Sequence, residues 1–192
     1  MDAIANAIKQ AQTTLYESKP DQEMATDEQV AARITTLSEF GYIPSEAIIE
    51  PLRSFLSGRA FLLSGDVGRG KTFLCQCLGI RIYTVLSIVD YGIRQISAWY
   101  SWTDGNDICI DDIGTEPIAT DYGAKDDIIK TVIAHRSEQQ QGKTFITTNL
   151  SKQQIMTRYG DRTMSRIYGM CDVYRVEGKD MRIDSAQRKA TP

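Results

Sequence analysis

The sequence feature that most constrains this chain is a glycine-rich segment, Gly65-Asp66-Val67-Gly68-Arg69-Gly70-Lys71-Thr72. It matches the pattern G-x-x-x-x-G-K-[ST] in full, directly after an apolar run and at the start of a helical pattern. Glycines let such a loop turn tightly and present backbone N–H groups to phosphate oxygens. The lysine reaches the β- and γ-phosphates, and the threonine hydroxyl binds Mg²⁺. We therefore predict that residues 65–72 and the adjacent Phe73 bind a nucleoside triphosphate, with Thr72 as a metal ligand.

The rest of the chain from residue 59 onward alternates between strand and helix patterns. The predicted strands are residues 60–64, 82–86, 107–111, 144–148 and 172–176. The predicted helices are 71–80, 88–98, 121–138, a segment opened by a Ser151/Gln154 capping box and ended by Gly160, and 161–168. This alternation predicts an α/β fold with a five-stranded parallel sheet covered by helices on both faces.

Two amphipathic helical patterns precede this region. The first repeats apolar residues from Ile4 to Leu15, and the second follows a capping box made by Thr26 and Gln29. Residues 1–50 carry three basic and nine acidic side chains, whereas residues 151–192 carry nine basic and five acidic ones. The overall charge of −3 therefore hides an acidic head and a basic tail. We predict a helical N-terminal extension over residues 1–50 that binds a partner, and a nucleotide-binding domain over residues 51–192.

Composition excludes collagen-like, disordered and disulfide-scaffold proteins. With 192 residues, 42% hydrophobic and 24% charged, the chain is ordinary for a globular protein. No apolar stretch approaches the roughly 18 residues of a membrane span, so we expect a cytoplasmic protein without membrane contact. The four cysteines form no CxxC pair, which indicates buried reduced thiols. The lone His135 lies on a helical pattern and indicates no metal site.

A second motif ends the predicted third strand. The apolar run Asp107-Ile-Cys-Ile leads into the pair Asp111-Asp112, about 45 residues after the glycine-rich loop begins. We predict that Asp111 holds Mg²⁺, directly or through water, and that Asp112 orients and deprotonates the attacking water. Glu116 follows closely, and two interpretations stay open: a polar group behind the site, or a solvated loop residue.

Polar residues later in the chain extend the candidate site. Asn149 ends the predicted fourth strand, where ligands of open α/β sheets bind, although it also begins the loop before a helix. Arg162 and Arg166 lie four residues apart on one helix face, which suits either an arginine finger or an exposed basic face. For Arg182, spacing alone favours no function. The aromatic cluster Trp-Tyr-Ser-Trp at 99–102 has two interpretations. It could stack on the bases of single-stranded DNA, or it could pack a connector against the edge of the sheet, and we favour the second.

Taken in order, these blocks resemble the AAA+ ATPase module, and more narrowly the DnaC/DnaI-type helicase loaders and IstB-like transposition ATPases. The likeness covers roughly residues 58–183. It rests on Ile-Asp-Asp-Ile-Gly-Thr-Glu at 110–116, Lys-Thr-Phe-Ile-Thr-Thr-Asn-Leu-Ser at 143–151, Arg-Tyr-Gly-Asp-Arg-Thr-Met-Ser-Arg-Ile at 158–167 and Gly-Lys-Asp-Met-Arg at 178–182. The resemblance implies that Asn149 is sensor 1, that Arg166 is the arginine finger with Arg162 as its companion, and that Arg182 is sensor 2. It also implies the absence of a C-terminal lid domain.

The resemblance further implies ATP and Mg²⁺ as cofactors and a homo-oligomer in which each finger acts on its neighbour's nucleotide. A replicative helicase bound through residues 1–50 is the expected partner, with single-stranded DNA as a further one. Asp112 stands where most AAA+ proteins have glutamate, which indicates slow or conditional hydrolysis. Three alternatives stay open: an IstB-like regulator of transposition, a P-loop small-molecule kinase, and an ATP switch that does not hydrolyse. The Thr-Thr-Asn strand end and the Ser-Arg helix count against the kinase.

Overall fold

The computed structural model describes residues 23–116, 124–139, 141–178 and 180, although the side chains of 92–94 and 124–127 are left aside. The predicted helix around residues 4–15, and Arg182, lie outside the described residues. The helices are α1 (Asp27–Glu39), α2 (Ile49–Leu56), α3 (Lys71–Cys77), α4 (Val85–Thr103), α5 (Ala124–Glu138), α6 (Lys152–Tyr159) and α7 (Asp161–Met170). The strands are β1 (Ala60–Ser64), β2 (Arg81–Thr84), β3 (Ile108–Ile113), β4 (Thr144–Thr148) and β5 (Cys171–Arg175).

The five strands form one parallel sheet in the order β2-β3-β4-β1-β5. Strand β4 is buried along its whole length, and β1 is buried except at Ser64. Strands that are buried in this way are covered on both faces, which is the usual state of a parallel sheet. The predicted α/β fold with a five-stranded parallel sheet is therefore confirmed.

Several predicted boundaries need correction. Strand β2 ends at Thr84 rather than at residue 86, because the Thr84 hydroxyl accepts the Ser87 N–H at 3.2 Å and so caps α4. Helix α4 consequently extends over Val85–Thr103, well beyond the predicted 88–98, and β3 continues to Ile113 rather than ending at Asp111. Helix α3 ends at Cys77, three residues before the predicted end.

The aromatic cluster 99–102 therefore belongs to a helix and not to a connector. Trp99 is buried and meets the Tyr83 ring of β2 edge-on, with the ring centroids 5.8 Å apart. For Trp99, packing against the sheet edge is the correct alternative. Trp102 is 54% exposed, and for this residue stacking on single-stranded DNA stays an open alternative.

Helix α1 packs onto the domain that carries the sheet. Its capping box is present as predicted, with the Thr26 hydroxyl accepting the Gln29 N–H and the Gln29 side chain accepting the Thr26 N–H. Val30 and Leu37 enter the common core, and Arg53 of α2 binds the Ala25 carbonyl at 2.6 Å and the Asp27 carboxylate at 2.7 Å. Residue 50 therefore marks no break in packing, and its role as a functional boundary stays a prediction.

Two further findings concern the described residues as a whole. Within the described ranges, no helix is long and apolar enough to cross a membrane. The four cysteines are free thiols, with Cys75, Cys109 and Cys171 buried and Cys77 half-buried.

Candidate phosphate-binding site

The glycine-rich loop lies at the carboxyl edge of the sheet. Strand β1 ends at Ser64, which pairs with Thr148 at the end of β4, and the Gly65 N–H then donates to the Thr148 carbonyl at 3.2 Å. Ligands of open α/β sheets bind at this edge, outside the carboxyl ends of the strands. The fold therefore places the loop where its sequence predicts a ligand.

Lys71 is buried at the end of the glycine-rich loop, where α3 begins. Its ammonium donates to the carbonyls of Gly65 at 2.5 Å and Asp66 at 2.9 Å, and to Asn149 Oδ1 at 2.8 Å. Burial lowers the Lys71 pKa, while the nearby carboxylates of Asp112 and Asp111 oppose this shift. The contact with Asn149 joins two residues that are 78 positions apart in the sequence, as the predicted site requires.

Thr72 and Asp111 meet directly beside Lys71. The Thr72 hydroxyl donates to Asp111 Oδ1 at 2.7 Å, and the Thr147 hydroxyl donates to the same oxygen at 2.6 Å. Thr147 Oγ1 also accepts the Asp112 N–H at 2.9 Å. A hydroxyl and a carboxylate in contact are hard oxygen donors, which is the kind of ligand that Mg²⁺ prefers.

A β-bulge in β3 sets the direction of the two aspartates. Ile110 pairs with Ile146 and Ile113 with Thr148, so three steps along β3 match two steps along β4. At the bulge Asp112 has a φ of +61°, and among the described residues it is the one non-glycine residue with positive φ. This sparsely populated conformation places Asp112 beside the loop while Asp111 contacts Thr72.

The glycine-rich loop, Asp112 and Asn149 border one cavity of about 340 Å³. Its lining comprises Val67, Gly68, Arg69, Gly70, Lys71, Thr72, Phe73, Gln76, Asp112 and Asn149. The volume lies in the range typical of small-molecule sites. Gly65 and Asp66 begin the loop and hold Lys71 through their carbonyls, and Asp111 lies behind Thr72. The structure therefore brings together the predicted residues of the glycine-rich loop and the strand ends.

Two glycines of the loop lie close to other atoms where a side chain would begin. A methyl group at Gly65 would overlap the Val176 carbonyl oxygen, and one at Gly68 would overlap the Asp180 side chain. Both glycines also have positive φ, +147° and +81°. Positive φ therefore favours glycine at both positions, and at Gly65 the backbone of Val176 excludes a side chain as well.

Some residues of the site escaped sequence reasoning. Thr147 bridges the two aspartates, and Gln76 lines the cavity on α3. Tyr42 stacks on Phe73, with ring centroids 5.8 Å apart and an interplanar angle of 27°. A polar residue late in a buried strand was the available signal for Thr147. Gln76 follows Thr72 by about one helical turn, whereas no local pattern connects Tyr42 to the loop.

The predicted arginines lie elsewhere. Arg162 is exposed on α7, and Arg166 is half-buried there with its guanidinium 4.0 Å from the Glu138 carboxylate. Within the part of the chain that the structure describes, neither arginine lines the cavity. Arg182 lies outside the described residues, so its predicted role stays a prediction.

Glu116 is buried, with 2% of its surface exposed, and the interpretation as a solvated loop residue is wrong. Its carboxylate accepts the Gly114 N–H at 3.0 Å and binds the last residues of α6. Tertiary contacts with α6, 42 and 43 positions away, account for this burial.

The donor set fits a magnesium-bound nucleoside triphosphate. Lys71 and the glycine loop suit phosphate oxygens, and Thr72 with Asp111 suits Mg²⁺. No group of three or more His, Cys, Asp or Glu side chains placed to hold a metal occurs in the described ranges. Mg²⁺ is compatible with that finding, because it is usually held by one or two carboxylates together with substrate phosphates.

Comparison with known proteins supports the fold. No family model and no curated protein matches the chain, whereas solved structures do. The DnaC helicase loader is 19% identical, with a TM-score of 0.51 over 84% of this chain and 96% of that one. DnaI is 18% identical, with a TM-score of 0.49 over 88% of this chain and 92% of that one. The chain therefore has an α/β fold similar to that of the DnaC helicase loader.

Proposed function

We propose that the chain is an AAA+ ATPase of the helicase-loader type, which binds ATP with Mg²⁺ and couples its nucleotide state to assembly on, or release from, a replicative DNA helicase. One observation carries the proposal. Lys71, the Thr72–Asp111 pair, Asp112 and Asn149 converge around one cavity at the carboxyl edge of the sheet.

Each residue has a distinct role in the proposed reaction. Lys71 and the loop amides bind the phosphates, and the low dielectric around the buried ammonium strengthens that attraction. Thr72 and Asp111 would hold Mg²⁺, which would supply positive charge to neutralise the phosphates. Asp112 takes the proton of the attacking water, and Asn149 orients that water.

The arginine finger in this proposal comes from a neighbouring copy of the chain. Arg166 and its companion Arg162 lie on α7 and do not line the cavity of their own subunit within the described residues. Surface placement is what a finger that acts in trans requires. Arg182 is proposed to act as sensor 2.

The partner assignments rest on two observations. The fold is that of a helicase loader, and residues 1–50 carry a net charge of −6, which suits a basic protein surface. We propose that these residues bind the helicase, that the assembled oligomer contacts single-stranded DNA, and that the protein acts in DNA replication in the cytoplasm.

The decisive experiment measures ATP affinity and ATP hydrolysis over a range of protein concentrations, with and without DNA and helicase. The wild type should hydrolyse faster per subunit as concentration rises. Arg166→Ala should keep its ATP affinity and lose about 10³–10⁵ in rate, the contribution of an arginine finger. Arg175→Ala, which removes an exposed arginine paired with Glu177, is the matched control. Normal hydrolysis by Arg166→Ala, or an equal loss of ATP binding, contradicts the trans finger.

A further inference from the structure

Glu116 connects the loop after the two aspartates to another element. Glu116 Oε1 accepts from the Tyr159 hydroxyl and from Arg158 Nε at 3.3 Å, and Glu116 Oε2 accepts the Gly114 N–H at 3.0 Å. Arg158 also donates to the Glu116 main-chain carbonyl. Both carboxylate oxygens therefore have partners, as a buried charge requires.

The partners of this carboxylate lie at a junction between helices. Arg158 and Tyr159 are the last two residues of α6, and Gly160 follows with a φ of +82° before α7 begins. Helix α7 carries Arg162 and Arg166. A single buried side chain thus joins the loop after β3 to the end of α6, directly before the helix that bears the proposed finger.

The segment between Asp112 and Glu116 is compact enough to transmit a displacement. Thr115 donates to the Asp112 carbonyl through its N–H at 3.2 Å and through its hydroxyl at 2.8 Å. Gly114 has a φ of +98°, and a methyl group there would overlap Leu150 in the loop after β4. We therefore expect a movement of Asp112 to displace Glu116 as well.

The link is also chemically stable near neutral pH. Burial, together with the hydrogen bond to Glu116 and the charge of that carboxylate, raises the pKa of Tyr159 above its ordinary range. The phenol consequently stays protonated and remains a donor.

We propose that Glu116 is a positioning residue that couples the nucleotide site of one subunit to the finger which that subunit offers to its neighbour. It acts through Arg158 and Tyr159, which set the α6–α7 junction. This inference rests on the proposed function, since it needs a nucleotide beside Asp112 and a functional Arg166.

The test compares wild type, Glu116→Gln and Tyr159→Phe by hydrogen exchange of α7, with and without ATP. Glu116→Gln keeps the size of the side chain and removes its charge, and Tyr159→Phe keeps the carboxylate and removes one hydrogen bond. Glu177→Gln, at an exposed carboxylate, is the control. In wild type and control, ATP should slow exchange in α7 at least threefold. In both test variants that ATP effect should disappear, while ATP affinity stays within threefold of wild type.

If Glu116 has only a structural role, the result should differ. Weakening its contacts with Arg158 and Tyr159 would then change hydrogen exchange in α7 equally with and without ATP. A second readout is the ATPase rate at saturating protein, which should fall about tenfold in Glu116→Gln. Combining Glu116→Gln with Arg166→Ala should lower the rate no further than Arg166→Ala alone, because both act through one finger.

The outcomes separate the two proposals. If Arg166→Ala hydrolyses like wild type, the trans finger of the proposed function fails, and coupling to that finger fails with it. The exchange measurement then shows only whether Glu116 connects the nucleotide site to α7. If wild type binds ATP and α7 exchange does not respond, or if Glu116→Gln keeps the response, the coupling is wrong and the proposed function stands. A wild-type chain that binds no ATP overturns both.

Discussion

The Thr72 hydroxyl donates a 2.7 Å hydrogen bond to the Asp111 carboxylate, and this contact joins the glycine-rich loop to the end of β3. The same carboxylate oxygen accepts the Thr147 hydroxyl of β4 at 2.6 Å. Asp111 therefore lies where a loop and two strands meet, so that its removal has consequences for both metal binding and nucleotide binding.

Asp111→Asn should weaken ATP binding in the presence of Mg²⁺ at least tenfold, because the amide no longer offers a charged oxygen to the metal. A tenfold loss corresponds to about 1.4 kcal/mol of binding energy. ATP affinity measured in excess chelator should change little. Titration with and without Mg²⁺ checks this, with Asp107→Asn, at the exposed residue just before β3, as the control. An equal loss of affinity in both conditions would show that Asp111 acts on the fold and not on the metal.

Gly65→Ala and Gly41→Ala form a matched pair. Both positions have positive φ, but space around Gly41 is open, whereas a methyl group at Gly65 would overlap a backbone carbonyl of Val176. Gly41→Ala should cost about 1–2 kcal/mol of unfolding free energy, the price of the conformation alone. Gly65→Ala should cost about 1–3 kcal/mol more because of overpacking, and should also weaken ATP binding. Urea denaturation measures both, and equal costs would contradict the steric argument.

Tyr42→Phe should stabilise the protein. The Tyr42 hydroxyl is buried and finds no hydrogen-bond partner among the described residues, so its removal relieves a desolvation cost of about 1 kcal/mol. Tyr174→Phe is the control, because its hydroxyl is bonded to Ser54 at 2.6 Å and its loss should destabilise by a similar amount. Thermal denaturation of the two variants at pH 7 should therefore give shifts of opposite sign.

The same substitution should change the alkaline stability profile. Burial, with smaller contributions from Cys75 and Cys77, raises the Tyr42 pKa in the folded protein. The unfolded side chain titrates near pH 10, so above about pH 10 the unfolded chain releases a proton that the folded chain retains, and stability falls. The stability advantage of Tyr42→Phe over wild type should grow as pH rises above about 10. A constant difference across this range would show that Tyr42 titrates normally.

Arg136→Lys should destabilise the fold and leave ATP affinity unchanged. The guanidinium is buried and donates to the carbonyls of Thr103, Asn106 and Lys143 and to the Thr144 hydroxyl, at 2.7–3.1 Å. A lysine ammonium cannot make these four hydrogen bonds, which need the planar guanidinium. The buried acceptors left unpaired should lower the free energy of unfolding by roughly 3 kcal/mol or more. Arg175→Lys at an exposed position should cost little. Urea denaturation with parallel ATP titration checks both, and a loss of ATP binding by the folded variant would be unexpected.

Local patterns predicted the elements on which the site is built. Strand β4 has the predicted bounds, and the capping boxes of α1 and α6 form as their sequences indicate. The glycine-rich loop and the aspartate pair are contiguous motifs, so their chemistry could be inferred without knowing the fold.

What could not be predicted depends on contacts between distant segments. The pairing of Thr147 with Asp111 follows from the register of β3 against β4, which no local pattern reveals. The burial of Glu116 depends on Arg158 and Tyr159, which belong to α6. The prediction for helix α4 is too short at both ends, because it assigns residues 85–86 to β2 and residues 99–102 to a connector. Contacts with the sheet, such as Trp99 against Tyr83, are not visible in the local pattern.

Because of the bulge between Ile110 and Ile113, the candidate site depends on the number of residues in β3. Side chains of a regular strand alternate between its two faces, so adjacent aspartates would ordinarily diverge. Deleting one residue here would restore regular pairing with β4, which favours the sheet. It would also remove the left-handed conformation of Asp112 and change the direction of the aspartate side chains. In this strand a one-residue deletion would therefore improve the architecture while destroying the chemistry, so the site depends on its length as much as on its residue types.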